Sequence, residues 1–223
     1  MTYYMVFMLA GYLLGSILFA PLFGWLIRKK DILKDTKDWN PGTANAFMEG
    51  GFACGMLTLI CDMGKGFLPV FLCRHMENTF LGGILWKPAE LVWGCRPEAI
   101  RVLGMAFVLL APVLGHIFSL YHRFRGGKGI AATFGVLLGY APDFSPALLL
   151  AFFFVLFSLV IRISPHFYRT VGAYVCAAGM SFVWGQSLEL KLGILFISIL
   201  VCIRLHLSTE ERQKCDVRLL WMH

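Results

Sequence analysis

The sequence predicts an all-α polytopic membrane protein with about seven transmembrane helices, formed by residues 1–223 as a single integral-membrane domain. Of the 223 residues, 58% are hydrophobic and 15% are charged, whereas about a quarter of the residues of a soluble domain are charged. The mean hydropathy is +0.72. The apolar residues fall in runs, and most runs are long enough to cross about 30 Å of hydrocarbon at about 1.5 Å per helical residue.

The predicted helices follow these runs in order. The first covers residues 2–27 without a charge and ends at the basic run that begins with Arg28. The fourth, residues 130–141, has about two-thirds of the length of a full span and predicts a short or broken helix. Such a helix would leave its Gly-Lys-Gly start partly inside the membrane, which is tolerated only beside a cavity. The other predicted spans are 46–73, 99–120, 147–163, 170–187 and 190–205. Between the second and third, the residues around Trp86 and Trp93 predict an interfacial segment.

The second run contains two charged residues, Asp62 and Lys65, within Asp62-Met63-Gly64-Lys65-Gly66. Charges at membrane depth are unfavourable unless they pair or face a polar interior. A spacing of three residues allows the two side chains to pair on one helical face. The sequence is consistent both with a structural ion pair and with residues that line a polar pocket.

The positive charges predict the orientation of the chain. The net charge is +7, which on a membrane protein is typical of cytoplasmic loops that face anionic lipid. With an external N-terminus and a cytoplasmic C-terminus, the cytoplasmic segments contain 14 of the 20 Lys and Arg residues. These segments are 28–45, 121–129, 162–169 and 204–223. We therefore expect a protein of the plasma membrane that binds lipids and not nucleic acid.

The seven cysteines are scattered, and none forms a Cys-x-x-Cys pair. Most lie inside apolar runs, where cysteine behaves as a small hydrophobic residue. No metal-site spacing and no disulfide framework is evident. We therefore expect neither a metal nor a cofactor.

A glycine-rich loop follows the third span and is the strongest candidate site. His116 ends the apolar run, a basic turn follows, and Gly126-Gly127-Lys128-Gly129 precedes the next apolar run at Ile130. Glycine allows backbone N–H groups to approach an oxyanion closely, and a helix N-terminus adds unpaired donors. Lys128 adds a full positive charge. The loop predicts a phosphate site at a membrane face, or alternatively a basic turn that contacts lipid headgroups. The pattern is not that of a Walker P-loop, because Gly129 follows Lys128 where Ser or Thr is required.

A second polar turn, residues 38–45, precedes the second span and reads Asp-Trp-Asn-Pro-Gly-Thr-Ala-Asn. Pro and Gly between two Asn residues predict a turn with exposed backbone donors. It can be an ordinary turn, but it lies on the same predicted face as the glycine-rich loop. Three polar segments at one face, including the basic tail, favour a site for a phosphorylated, water-soluble compound beside lipid.

Four stretches resemble the bacterial integral-membrane glycerol-3-phosphate acyltransferases that use acyl phosphate. They are Gly15-Ser16-Ile17, Asn40-Pro41-Gly42-Thr43-Ala44-Asn45, Asp62 to Gly66 with Pro69-Val70, and Gly115-His116-Ile117-Phe118 through Phe124 to Ala132. Their order and spacing extend over most of the chain. The resemblance implies an enzyme that acylates glycerol 3-phosphate to lysophosphatidic acid at the cytoplasmic face. It also implies acyl phosphate as donor and, as a partner, the enzyme that supplies it.

Both substrates of this reaction are anions, so the site must neutralise charge. We assign this role to Lys128 and to the donors of Gly126, Gly127 and Gly129. The remaining predicted binding residues are Asn40, Gly42 and Asn45, around a second phosphate, and His116. His206 is predicted to orient a substrate or accept a proton, or alternatively to face lipid headgroups.

The chain departs from the family pattern at three positions implicated in substrate handling, Asp38, Met48 and Val201, and also at Trp39 and at Ser208, where the family has Gly. The family has Ser-Gly-Asn where this chain has Asp38-Trp39-Asn40, Arg where it has Met48, and Asn where it has Val201. Asp38 places negative charge where a phosphate is expected. These departures keep open a diverged relative with another anionic substrate or acceptor, and a non-enzymatic scaffold or transporter. None of the six histidines has Asp five residues later, which argues against the acyl-CoA and acyl-carrier-protein enzymes with His-x-x-x-x-Asp.

Overall fold

The computed structural model describes residues 2–33, 40–76, 97–208 and 214–220. Asp38 and the predicted interfacial segment around Trp86 and Trp93 lie outside these residues. Within them the chain is almost entirely helical. The α-helices are α1 (Thr2–Gly15), α2 (Phe19–Arg28), α3 (Thr43–Met76), α4 (Pro97–Ile117), α5 (Ile130–Gly139), α6 (Ser145–Val155), α7 (His166–Val183) and α8 (Leu188–His206).

Four shorter elements complete this description. A 3-10 turn, Leu120–His122, follows α4, and a π-helical turn, Leu156–Val160, follows α6. The pair β1 (Ile163–Ser164) and β2 (Asp216–Val217) is antiparallel, with Ile163 opposite Val217. The prediction of a helical protein is confirmed, and this short ladder is its one departure among the described residues.

Counted with α1 and α2 as one segment, seven helical segments lie where seven spans were predicted. Among the described residues, three stretches are long and apolar enough to cross a membrane: Tyr3–Arg28, Thr43–Met76 and Glu98–His122. Ile130–Gly139 and Ser145–Val160 are shorter apolar helices. The predicted short fourth helix is therefore confirmed as α5.

The first predicted span, 2–27, was wrong as a continuous helix, because α1 ends at Gly15 and α2 begins at Phe19. Pro21 explains the break, since a proline ring clashes with the carbonyl four residues earlier, here that of Ile17. The break leaves the carbonyls of Ser16 and Ile17 without helical partners, and both accept hydrogen bonds from side chains of other segments. Lys65 Nζ donates to Ile17 O at 2.6 Å, and Ser119 Oγ donates to Ser16 O at 2.5 Å.

The helices pack with close backbone contacts. Helix α3 packs along α5, while α4 packs between α1 and α8. A Cβ added at Gly135 of α5 would lie 1.9 Å from Met63 O, and one added at Gly66 of α3 would lie 2.4 Å from Ala132 O. These glycines allow the backbones of α3 and α5 to touch. Their contact holds the start of α5, and with it the glycine-rich loop, against α3.

Replacing Gly66 with Ala is expected to lower the free energy of unfolding by about 1–3 kcal/mol, the usual cost of overpacking a close contact. Gly64 provides a matched control on the same helix, since a Cβ there meets nothing within 4 Å. Gly64→Ala should be neutral or stabilising by up to about 1 kcal/mol through helix propensity. The measurement is thermal unfolding of both variants in detergent; equal midpoints would contradict the close approach of α3 and α5.

Candidate active site

Two cavities lie where α4 and α8 end and where α3, α5 and α7 begin. The first has a volume of about 520 Å³ and the second about 580 Å³. Asn40 and Lys128 line both of them. The two cavities therefore meet at a lysine and at the first residue of the Asn-Pro-Gly turn.

The glycine-rich loop packs directly against the end of α4. Gly127 N donates to His116 O at 3.0 Å. A Cβ at Gly126 would lie 2.0 Å from the same oxygen, and one at Gly127 would lie 2.2 Å from His116 Nε2. Gly129 caps α5 with φ +82°, a conformation that only glycine adopts readily. This compact turn places Lys128 between the two cavities.

Arg204, in the last turn of α8, holds the same loop from the other side. Its Nη2 donates to Gly126 O at 2.9 Å and its Nε to Gly127 O at 3.3 Å. With these carbonyls engaged by α8, the loop is fixed between two helices. Arg204 was predicted only as part of a basic tail, and its contact with the loop was missed.

The first cavity is suited to an anion. Arg125, Lys128 and Arg204 are among its lining residues, and no Asp or Glu is among those that the structure describes. Asn40, His122 and Ser208 add polar groups. Three cations without a carboxylate favour an anionic ligand such as a phosphate group.

The Asn-Pro-Gly turn lies between the cavities. Asn45 Nδ2 donates to Asn40 O at 2.9 Å, which closes the turn at the start of α3. Both Asn residues are buried. Gly42 and Asn45 line the second cavity.

A buried charge cluster forms another part of the second cavity. Asp62 and Lys65 form an ion pair with 2.7 Å between Oδ1 and Nζ. His116 Nδ1 lies 3.7 Å from the same Asp62 oxygen. Asp62 and His116 line the cavity, whereas Lys65 reaches the carbonyl of Ile17. The predicted pairing is confirmed, and Asp62 also lines a polar pocket.

Two residues at the start of α7 contribute a further part of the lining. Arg169 Nη2 lies 2.9 Å from His166 Nδ1, and both residues line the second cavity. Burial, together with the positive charges of Lys128 and Arg169, lowers the pKa of His166 to about 4. His166 is therefore neutral near pH 7, and its Nδ1 can accept the hydrogen bond.

Comparison with known proteins identifies the family. Residues 5–213 match the sequence model of the family described as glycerol-3-phosphate acyltransferase. The chain belongs to this glycerol-3-phosphate acyltransferase family. The resemblance found in its motifs is thereby confirmed.

Individual bacterial relatives and solved structures support the same family assignment. A glycerol-3-phosphate acyltransferase of Cupriavidus necator is 32% identical over 188 residues, which cover 80% of this chain and 84% of the relative. One from Pseudomonas aeruginosa is 38% identical over 149 residues, which cover 66% of this chain and 65% of the relative. The chain is also similar to crystal structures of PlsY (YgiH), an integral membrane glycerol 3-phosphate acyltransferase. The glycerol 3-phosphate form superposes with a TM-score of 0.67 at 25% identity, covering 90% of this chain and 87% of the other. The lysophosphatidic acid form gives 0.65.

In this member of the family, most predicted site residues come together. Asn40 and Lys128 line both cavities, Gly126 lines the first, and Gly42, Asn45, His116 and Gly129 line the second. Gly127 packs on His116 without being among the lining residues. His206 is exposed at the end of α8 and is not among the lining residues of either cavity.

The family departures lie in different surroundings. Met48, which the motif resemblance aligns with a family Arg, is 70% exposed and lines the second cavity. Val201, which the same resemblance aligns with a family Asn, is fully buried in the apolar core. The cavity residues His166, Arg169 and Arg204 were not predicted as site residues. The sequence signal for all three was their position within predicted cytoplasmic segments, which fits a contact with lipid headgroups equally well.

Proposed function

We propose that this membrane acyltransferase transfers an acyl group from acyl phosphate to glycerol 3-phosphate and forms lysophosphatidic acid for phospholipid synthesis. The observation that carries the proposal is the position of Lys128 between two cavities, each with cationic side chains. Family membership supports the reaction, and two meeting cavities suit two anionic substrates.

In the reaction, a hydroxyl oxygen of glycerol 3-phosphate attacks the acyl carbonyl carbon. A new ester C–O bond forms, the C–O bond to phosphate breaks, and inorganic phosphate leaves as the hydroxyl proton is transferred. Acyl phosphate is already activated, so no covalent nucleophile is required. Lys128 and the N–H groups of Gly126 and Gly129 offset the negative charge that two phosphorylated substrates bring together. The predicted role of Gly127 as a donor is corrected, because its N–H already donates to His116 O.

The other predicted residues take supporting roles. Asn40, Gly42 and Asn45 offer polar groups on the turn, and His116 lies on the buried side of the second cavity. His206 immediately precedes Leu207, which lines the first cavity. We propose for His206 the role predicted from the sequence, in orienting a substrate or accepting the proton, and its exposed position also suits the alternative of a headgroup contact.

A diverged acceptor is the second candidate, favoured by the uncharged Met48 in the second cavity. A scaffold or transporter is less well supported. Convergence of Lys128, Asn45 and His206 in one pocket would favour an enzyme over such a protein; Lys128 and Asn45 line one cavity, and His206 is not among its lining residues.

The test uses the purified full chain in lipid with a long-chain acyl phosphate and glycerol 3-phosphate. We expect lysophosphatidic acid and inorganic phosphate in equal amounts, and no product when acyl-CoA replaces acyl phosphate. Glycerol and dihydroxyacetone phosphate serve as alternative acceptors. Turnover only with one of these would support the diverged enzyme, and no turnover with any acceptor would reject the transferase.

We further propose a single domain in the plasma membrane, with the N-terminus outside, the C-terminus cytoplasmic and the active face towards the cytoplasm. The basic loops that the positive-inside rule assigns to the cytoplasm contribute residues to both cavities, which supports this orientation. The enzyme that supplies acyl phosphate would then act on the same side.

Cys215 offers a test of the orientation, because it is exposed near the C-terminus. In a variant that retains only this cysteine, a membrane-impermeant thiol reagent should label it after permeabilisation of cells and not before. Labelling of intact cells would reverse the proposed orientation.

A further inference from the structure

The second cavity contains a cation outside the glycine-rich loop. We propose that Arg169, held in place by His166, binds a phosphate group of a substrate in the cavity that Lys128 also lines. This inference rests on the proposed function and adds a substrate-binding residue to it. The ligand chemistry is a phosphate dianion, carried by either acyl phosphate or glycerol 3-phosphate.

The first step is the charge of Arg169. Among the described residues, no carboxylate forms an ion pair with its guanidinium. The one carboxylate known to line the cavity, Asp62, is paired with Lys65 at 2.7 Å. The charge of Arg169 is therefore not neutralised within the described part of the protein, and an anionic ligand would neutralise it.

The second step is the orientation of the guanidinium. Its Nη2 lies 2.9 Å from His166 Nδ1, an acceptor that a protonated imidazole would not offer. This bond uses one of five N–H donors and restricts the side chain at the cavity wall. The remaining donors form a planar fork that matches two oxygens of a phosphate group.

The third step is the composition of the cavity. Among the described lining residues, Lys128 and Arg169 are the only Lys and Arg. The apolar part of the wall includes Met48, Leu59 and Phe134. Two cations match a phosphate dianion. Arg169 also lies in the first turn of α7, where the helix dipole favours an anion.

The experiment compares Arg169→Gln, which removes the charge, with Arg169→Lys, which keeps the charge but not the fork. A charge-assisted hydrogen bond contributes about 1.5–3 kcal/mol, so Arg169→Gln should raise KM for one substrate about 10- to 100-fold. The substrate whose KM rises identifies the phosphate bound there. Arg169→Lys should recover part of the loss.

Two controls separate binding from structure. Arg162→Gln removes a charge from an exposed residue just before α7. Arg162 is not among the lining residues of either cavity, so this variant should leave both KM values unchanged. His166→Ala should weaken binding, whereas His166→Asn, whose Oδ1 occupies the branch position of Nδ1, should restore it. Restoration by Asn is not expected of a histidine that only fills space.

A binding measurement without turnover separates this inference from the proposed function. Isothermal titration with inorganic phosphate should show weaker binding to Arg169→Gln than to the wild type, whether or not the wild type makes lysophosphatidic acid. An inactive wild type with this difference would reject the proposed reaction and support the anion site. Arg169→Gln with both KM values and phosphate binding within about twofold of wild type, well below the expected change, would overturn the inference.

Discussion

Replacing Lys128 with Ala is expected to reduce kcat/KM for lysophosphatidic acid formation by at least about 10²–10³-fold, the effect of removing one preorganised donor from a transition state. Lys128 lines both cavities, so we expect its charge to act on both substrates. The measurement is initial-rate kinetics with acyl phosphate and glycerol 3-phosphate, varied separately. A fall in kcat beyond any rise in KM would indicate stabilisation of the transition state.

Two variants control for charge. Lys128→Arg keeps the positive charge and should retain part of the activity. Lys214→Ala removes a lysine from the exposed tail and should keep the wild-type rate. If Lys128→Ala retained more than about a tenth of the wild-type activity, far above the residual activity expected, Lys128 would be excluded from the chemistry.

Features that depend on neighbouring residues could be predicted from the sequence. The helices follow from runs of apolar residues, and the ion pair of Asp62 and Lys65 follows from a spacing of three on one helix. The compact loop at residues 126–129 follows from its glycines, because only they permit the observed approach to His116. In each case, local chemistry determines the structure.

Features that depend on distant segments could not be predicted. The bonds from Arg204 to Gly126 and Gly127 join residues that are 78 and 77 positions apart. In a sequence, Arg169 and Arg204 are indistinguishable from basic residues that contact headgroups. The break after Gly15 is different, because Pro21 signals it locally, but the unbroken apolar run favoured a single span.

Removing either member of the buried ion pair is expected to be strongly destabilising. Asp62 and Lys65 are 0% and 5% exposed, so Asp62→Asn or Lys65→Met leaves an uncompensated buried charge. The expected loss is about 3–5 kcal/mol for each single variant. Lys65→Met also removes the donor to Ile17 O, so it should be the more damaging of the two.

The double variant Asp62→Asn with Lys65→Met distinguishes charge from packing. It leaves no buried charge at this position, so its loss should be well below the sum of the two single losses, with a coupling of at least about 1 kcal/mol. The free energies come from reversible unfolding in mixed detergent. Additive losses would mean that the two charges act independently.

The activities of the single variants separate a structural role from a role in the cavity. Lys65 donates to Ile17 O, the carbonyl freed by the break before α2. A loss of activity in Lys65→Met that parallels its loss of stability would therefore indicate a structural role. An activity loss in a folded Asp62→Asn would instead show that the cavity requires the carboxylate.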